Sequence, residues 1–543
     1  MGIYLNPNNA NFTETLKRPI FVDKTLILRE LNKFIDSDNH YICVSRPRRF
    51  GKTIASNIIT SYYSKGCASK ELFSGLTISK DKSFDSKLNK YNFIKIDLNS
   101  EFRNCRIKNN VLNTLQDFII EEFQEQFPSI KINDGFSVAQ AIQKVFDKTG
   151  EQFIILIDEY DVLVREQING SVSDKLFTEY LDFLNGLFKS DTLKPAIALA
   201  YLTGILPIVR DKVQSKLNNF REYTMLNAFD LSEFVGFNSD EVEALCKKYK
   251  IDFAECKRWY DGYKLSRNVT DKNGNISEIK YEVYNPESVI LTLETKEFGN
   301  YWSKTSSYQV ISDRLRQNFA GTKDAVIRML GGESVDVDAW SYLNTMTAFK
   351  KSDDIMTYLI HLGYLSYDKD EKKCRIPNGE IRDEWQRAIG DCDEYKATDK
   401  IIKHSRELLQ ATLDGEEETV AQALDESHIH VTSNRSYNNE DALQCAIYLS
   451  YIYALNKYTI VKEMTAGKCF ADVTFIPFTQ NMPAIIIELK HDKDEHSALN
   501  QIKEKKYFSS LEQYSGNLIF VGINYNEKSK KHKCKIEKFK KIV

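Results

Sequence analysis

The stretch Ser45-Arg-Pro-Arg-Arg-Phe-Gly51-Lys52-Thr53 joins an apolar run to a helical one. A phosphate chain needs backbone N–H groups aimed at it, the positive end of a helix and a mobile ammonium. Gly51, the start of the helical run and Lys52 supply all three, and the Thr53 hydroxyl suits a Mg²⁺ ligand. The usual motif begins with a glycine at the position held here by Arg46. Further on, Phe153-Ile-Ile-Leu-Ile-Asp158-Glu159 is an apolar run ending in two carboxylates. A buried parallel strand delivers its C-terminal residues to the crevice where ligands bind. Asp158 is therefore expected to hold the hydrated Mg²⁺ and Glu159 to polarise an attacking water. Ala196–Thr203 is another apolar run, and its terminal Thr203 is placed to sense a γ-phosphate. The expected nucleotide contacts are Arg46, Pro47, Arg48, Arg49, Phe50, Gly51, Lys52, Thr53, Asp158 and Thr203, with Thr53 and Asp158 on the metal. Arg210 reads as a surface residue.

A second constellation lies near the C-terminus. Asp472 sits in one strand-like segment, and Glu488-Leu-Lys490 ends the next. Strand alternation puts Ile485, Ile487 and Leu489 on one face and Glu488 with Lys490 on the other. Two neighbouring strands can thus present two carboxylates and an ammonium at one point. Metal-assisted phosphodiester hydrolysis requires that set, because carboxylates hold Mg²⁺ and lysine orients or activates water. Asp472 and Glu488 are the expected metal ligands. Glu440 on a preceding helix is expected to complete the catalytic set, and Gln501 and Lys505 lie one helical turn apart on the following helix. A lone Glu-x-Lys is common on exposed strands; an inward pair on an apolar strand calls for a reason to bury charge.

These residues must be positioned by regular elements. Runs at 41–45, 93–98, 153–157 and 196–202 are uninterruptedly apolar, as strands covered on both faces are. Helical spacing at 110–127 and 137–148 separates them, which predicts a doubly wound α/β domain with a parallel sheet. From about 231 to 425 helical signals dominate, with polar interruptions at 266–277 and 368–373. The last part predicts a helix at 440–455, strands at 459–464, 471–477 and 484–490, a helix at 495–511 and a strand at 517–524. Residues from Asn526 onward are rich in lysine, and a solvated tail or an edge strand is the expectation there.

At 543 residues the chain is too long for one core. Its 42% apolar and 28% charged residues and formal charge of −3 fit a globular chain with no overall polyanion-binding character. No apolar run is long enough to cross a bilayer and the first residues lack a signal-peptide pattern, so no membrane partner is expected. Ten cysteines without a CxxC pair read as reduced thiols of a cytoplasmic protein. The histidines, His428 and His430 among them, form no ligand pattern.

Several motifs together resemble a known family. Val22-Asp23-Lys24-Thr25, Arg46–Thr53, Ile157-Asp-Glu-Tyr-Asp161, Thr203-Gly-Ile-Leu206, Leu217-Asn-Asn219, Trp259-Tyr-Asp-Gly-Tyr263, Tyr284-Asn-Pro286 and Tyr301-Trp302 look like those of the bacterial AAA-ATPase-like proteins. Members of that family also carry arginine where Arg46 stands. Many join the ATPase to a C-terminal PD-(D/E)xK nuclease domain, and the order Glu440, Asp472, Glu488-x-Lys490, Gln501 is similar to that arrangement. The resemblance implies a P-loop NTPase domain at 1–230, a helical lid and connecting region at 231–430, and a restriction-endonuclease-like α/β domain at 431–543. It implies ATP and Mg²⁺ as cofactors and nucleic acid, DNA favoured, as partner, and it leaves room for a homo-oligomer. The expected function is ATP hydrolysis coupled to Mg²⁺-dependent cutting. The rival is an ATP-switched scaffold that holds nucleic acid or protein without cutting.

Overall fold

The computed structural model describes residues 2–35, 37–208, 217–302, 308–340, 349–431, 446–466, 469–479, 482–492, 495–504, 516–526 and 528–539. Two compact units emerge, one of Met1–Ser306 with Asp336–Ile381, the other of Ser307–Val335 with Arg382–Val543. The middle region expected at 231–430 is divided between them.

The first unit is built on five parallel strands: β1 (Tyr41–Ser45), β2 (Asn92–Asp97), β3 (Phe153–Asp158), β4 (Ile197–Gly204) and β5 (Arg221–Tyr223). Their order across the sheet is β2-β3-β4-β1-β5. β1, β3 and β4 are buried along their whole length, which accounts for their unbroken apolar runs. On one face Tyr41, Cys43, Ile155, Ile157, Ala200 and Leu202 pack against helices Val111–Gln126, Val138–Thr149 and Asp174–Phe188. The second of these is bounded by local chemistry: Ser137 and Gln140 form a capping box, and Gly150 closes it in the left-handed region. The polar interruption at 266–277 belongs to a β-hairpin, Tyr263–Thr270 with Ile276–Tyr284, where helical signals had been expected to dominate. Its outer part is exposed on both faces, so it carries no apolar alternation to betray a strand.

The second unit holds a five-stranded mixed sheet. Its strands are β6 (Tyr458–Ala466), β7 (Cys469–Pro477), β8 (Ala484–His491), β9 (Leu518–Asn526) and β10 (Lys531–Phe539), in that spatial order. Only β8 and β9 run parallel. Val473, Phe475, Ile485, Ile487, Leu489, Val521 and Ile523 face helices Lys396–Asp414 and Glu417–Val431. Helix Glu495–Glu504 covers Ile486 and Phe520 on the opposite face. The lysine-rich end is the edge strand β10, and lysine on an edge blunts unwanted pairing. Among the described residues no helix is long and apolar enough to cross a membrane. Eight cysteines, from Cys43 to Cys534, are free thiols.

Candidate active sites

The N-terminal site is made by strand ends. Asp97 pairs with Asp158, Asp158 with Thr203, and Thr203 with Val44. These residues therefore stand level at the C-terminal ends of four adjacent strands, the crevice in which open α/β sheets bind ligands. β1 ends at Ser45, and the loop after it leads into helix α1 (Lys52–Tyr63). Gly51 is the N-cap of α1 at φ +87°, a conformation that disfavours a side chain. The Lys52 ammonium donates to the carbonyls of Arg46 at 3.0 Å and Pro47 at 2.8 Å, curling the loop around itself. Burial pulls the Lys52 pKa down to about 8, with Glu159, Asp158 and Asp161 opposing the shift.

Asp158 is 4% exposed, and burial reinforced by the Asp97 charge pushes its carboxyl up to about 6, against the pull of Lys52. Thr53 and Asp158 both line a polar cleft of about 590 Å³, shared with Asn57, Lys95 and Asp97. Lys95 donates to Asn57 at 2.9 Å. The Thr203 hydroxyl is fully buried and has no hydrogen-bond partner among the described residues. A metal-bound triphosphate fits this donor set. Thr53 and Asp158 offer oxygen ligands only, and Mg²⁺ favours one or two protein oxygens plus water and phosphate. Among the described residues no three His, Cys, Asp or Glu side chains converge as a denser metal cluster.

Arg46 is held on the inner side of the loop. Its guanidinium is fully buried and donates to the carbonyls of Ser45 at 2.9 Å and Tyr223 at 3.0 Å, tying the end of β1 to β5. Burial lowers its pKa to about 10. Its Nη1 braces the loop from inside, while Nε and Nη2 are buried with no partner among the described residues. Phe50 is likewise buried, edge-on to Tyr263 with ring centroids 5.4 Å apart. Pro47 is buried, whereas Arg48 and Arg49 are exposed, the latter 3.4 Å from Glu287. Arg210 lies outside the described residues.

Glu159 adopts φ +49° and is held by Arg165 at 2.7 Å. Neither Arg165 nor Asp97 was singled out from the sequence. Asp97 carried a readable signal, a carboxylate closing an apolar strand as Asp158 does, but only the β2–β3 pairing makes them neighbours.

In the C-terminal site Val473 pairs with Ile487, so Asp472 stands beside Glu488 one step on. Asp472 accepts the Leu489 N–H at 2.7 Å. Glu488 is 1% exposed and accepts from Lys490 at 2.8 Å and from Gln501 on the covering helix. Asp472, Glu488, Lys490 and Gln501 are thus brought together. A pair of carboxylates on adjacent strands fits Mg²⁺ as a donor set. Asn524, which the sequence reading passed over, is buried on β9 directly beside Lys490. Glu440, Lys505 and the side chains of His428 and His430 lie outside the described residues.

Comparison with known proteins agrees with this division. A curated protein of Azotobacter chroococcum mcd 1, "Uncharacterized protein in vnfD 5'region", is 22% identical over 388 residues, covering 68% of this chain and 66% of its own length. The chain therefore spans just under two thirds of that relative. The family described as predicted AAA-ATPase matches residues 10–214, around the loop between β1 and α1 and across β1–β4. The PD-(D/E)XK nuclease superfamily matches residues 438–535, around Asp472 and Glu488-x-Lys490. The chain accordingly carries a segment that matches the predicted AAA-ATPase family ahead of a segment that matches the PD-(D/E)XK nuclease superfamily.

Proposed function

We propose that the first unit binds and hydrolyses Mg²⁺–ATP and that the second cuts nucleic acid, DNA favoured, with the nucleotide cycle gating the cut. The observation that carries this is the presence, in one chain, of two separate sites each suited to a metal and a phosphate. In the first, the α1 N-terminus and Lys52 hold the β- and γ-phosphates, Thr53 and Asp158 hold Mg²⁺, Thr203 reads the γ-phosphate, and Glu159 orients water. The base enters the apolar pocket beside Gly51, lined by Ile20, Phe21, Val22, Phe50, Phe234 and Phe237. That pocket uses the Tyr284-Asn-Pro286 motif, since Pro286 is one of its walls.

In the second, Asp472 and Glu488 would hold Mg²⁺, which when bound would supply hydroxide and stabilise the charge growing on phosphorus. Lys490 orients or activates the water, and Glu440 completes the set. A location in the cytoplasm, and assembly with further copies, belong to this reading. One observation favours a second reading: Glu488 is engaged by both Lys490 and Gln501. In that reading the domain holds nucleic acid or protein without cutting, and ATP switches its grip. The deciding experiment is a cleavage assay on duplex, single-stranded and RNA substrates, with and without ATP and Mg²⁺. Mg²⁺-dependent nicking by the parent, lost in Glu488→Ala while ATP turnover persists, supports the nuclease. Uncut substrates throughout leave the scaffold.

A further inference from the structure

Glu159 follows the strand end directly, and its φ of +49° is in the left-handed region that few non-glycine residues adopt. A carboxylate leaving the sheet in this way needs something outside its own backbone to aim it. Arg165, on helix Val162–Ile168, meets that need: its Nη2 donates to Glu159 Oε2 at 2.7 Å. The same guanidinium donates through Nε to Asp161 Oδ2 at 3.0 Å. Asp161 is itself fixed. It is fully buried, and its Oδ2 also accepts the backbone N–H groups of Ile205 at 3.1 Å and Leu206 at 2.9 Å, just beyond β4.

Gly204 lets this approach happen, since a Cβ there would come within 2.4 Å of Asp161 Oδ1. Tyr160 adds two further ties, its N–H to the Thr203 carbonyl at 3.1 Å and its hydroxyl to the Leu206 carbonyl at 2.7 Å. The Arg165 side chain is 11% exposed, whereas an arginine serving only solubility sits in water. A fork that grips two carboxylates at fixed angles gives direction as well as charge.

We propose that Arg165 is the positioning residue of the ATPase site, aiming Glu159 at the attacking water and coupling that aim, through Asp161, to the end of the strand that presents Thr203. The proposal rests on the reading of Glu159 as the water-orienting group. Arg165 touches neither nucleotide nor metal in this scheme. It sets where the carboxylate points, and Asp161 sets where Arg165 points. A change at Thr203 on nucleotide binding would then reach Glu159 through the turn Thr203–Leu206, Asp161 and the guanidinium.

The test is steady-state ATP hydrolysis and equilibrium nucleotide binding by full-length Arg165→Ala, Arg165→Lys and Glu159→Gln. For Arg165→Ala, kcat is expected to fall roughly ten- to hundred-fold, the scale of one lost charge-assisted hydrogen bond. KM and the nucleotide Kd should stay within about two-fold of the parent, because binding energy shared by ground and transition states is untouched. Arg165→Lys keeps the charge but loses the fork and should recover part of kcat. Parent-like kcat in Arg165→Ala alongside an inactive Glu159→Gln overturns the positioning role. Loss of nucleotide binding in both arginine variants assigns the residue to the fold and overturns it as well. A fully active Glu159→Gln instead removes the reading of Glu159 on which the proposal stands.

Discussion

The two sites are assembled by opposite means. At the N-terminal site the backbone does most of the positioning: four strand ends stand level, Gly51 opens the helix, and Lys52 is held by two loop carbonyls. At the C-terminal site the side chains position one another, Glu488 with Lys490 and Gln501. Strand ends and a loop fixed by backbone can lose one side chain and keep their shape, although the Glu159 carboxylate at the same site is held by Arg165. The C-terminal site has less latitude, since the buried Glu488 would be left without its counter-charge.

Substitutions at the centre of each site break the comparison most severely. Lys52→Ala should abolish nucleotide binding, read by titration with a fluorescent ATP analogue, while the melting temperature stays close to that of the parent. If the variant binds ATP as tightly as the parent, the phosphate-loop assignment falls. Glu488→Ala should abolish cleavage and leave ATP turnover intact; loss of both together would mean that the two sites do not work separately. Chelation of Mg²⁺ comes next. It should stop both activities and restore both on re-addition, whereas cleavage that persists in chelator would remove the metal from the C-terminal mechanism.

A smaller effect sharpens the contrast in stability. Lys490→Ala leaves the nearly inaccessible Glu488 without its cation and should cost about 3 kcal/mol, whereas Glu488→Gln should cost less, because Lys490 reaches solvent. Calorimetric unfolding of the full chain measures the difference, and equal losses would contradict the mutual-support picture. The smallest effect concerns the first unit, where His361 is fully buried and burial pulls its pKa to about 4. The folded imidazole stays neutral while the unfolded one protonates below its ordinary value. Stability is therefore complete above about pH 6.5 and falls as pH drops toward about 4. By about pH 5 the loss is about 2 kcal/mol by linkage. His361→Gln should flatten that part of the stability curve, and a curve unchanged from the parent would rule out this proton.

Much of the architecture was legible in the chain because burial leaves a plain mark. β1, β3, β4 and β8 are continuous apolar runs, and the ends of β3, β4 and β8 carry proposed site residues, Asp158, Thr203, Glu488 and Lys490 among them. The hairpin at 263–284 was missed because its outer residues face water on both sides, so neither helical nor strand periodicity appears. β5 is only three residues long, below what pattern can resolve. The charge and position of Arg46 suggest a phosphate contact. Only the packed sheet reveals that the chain turns it inward, to the carbonyls of Ser45 and Tyr223.

By itself the sequence determined which residues could meet phosphate or metal: local chemistry sets the helix start at Lys52, and period-two alternation puts Glu488 with Lys490. Tertiary structure decided which of those residues are neighbours. The insertion of β4 between β1 and β3 brings Thr203 level with Asp158, and the fold of the turn after β3 lets Arg165 reach Glu159. The reason is that strand order and side-chain reach follow from how distant segments pack, and no local pattern along the chain encodes that distance.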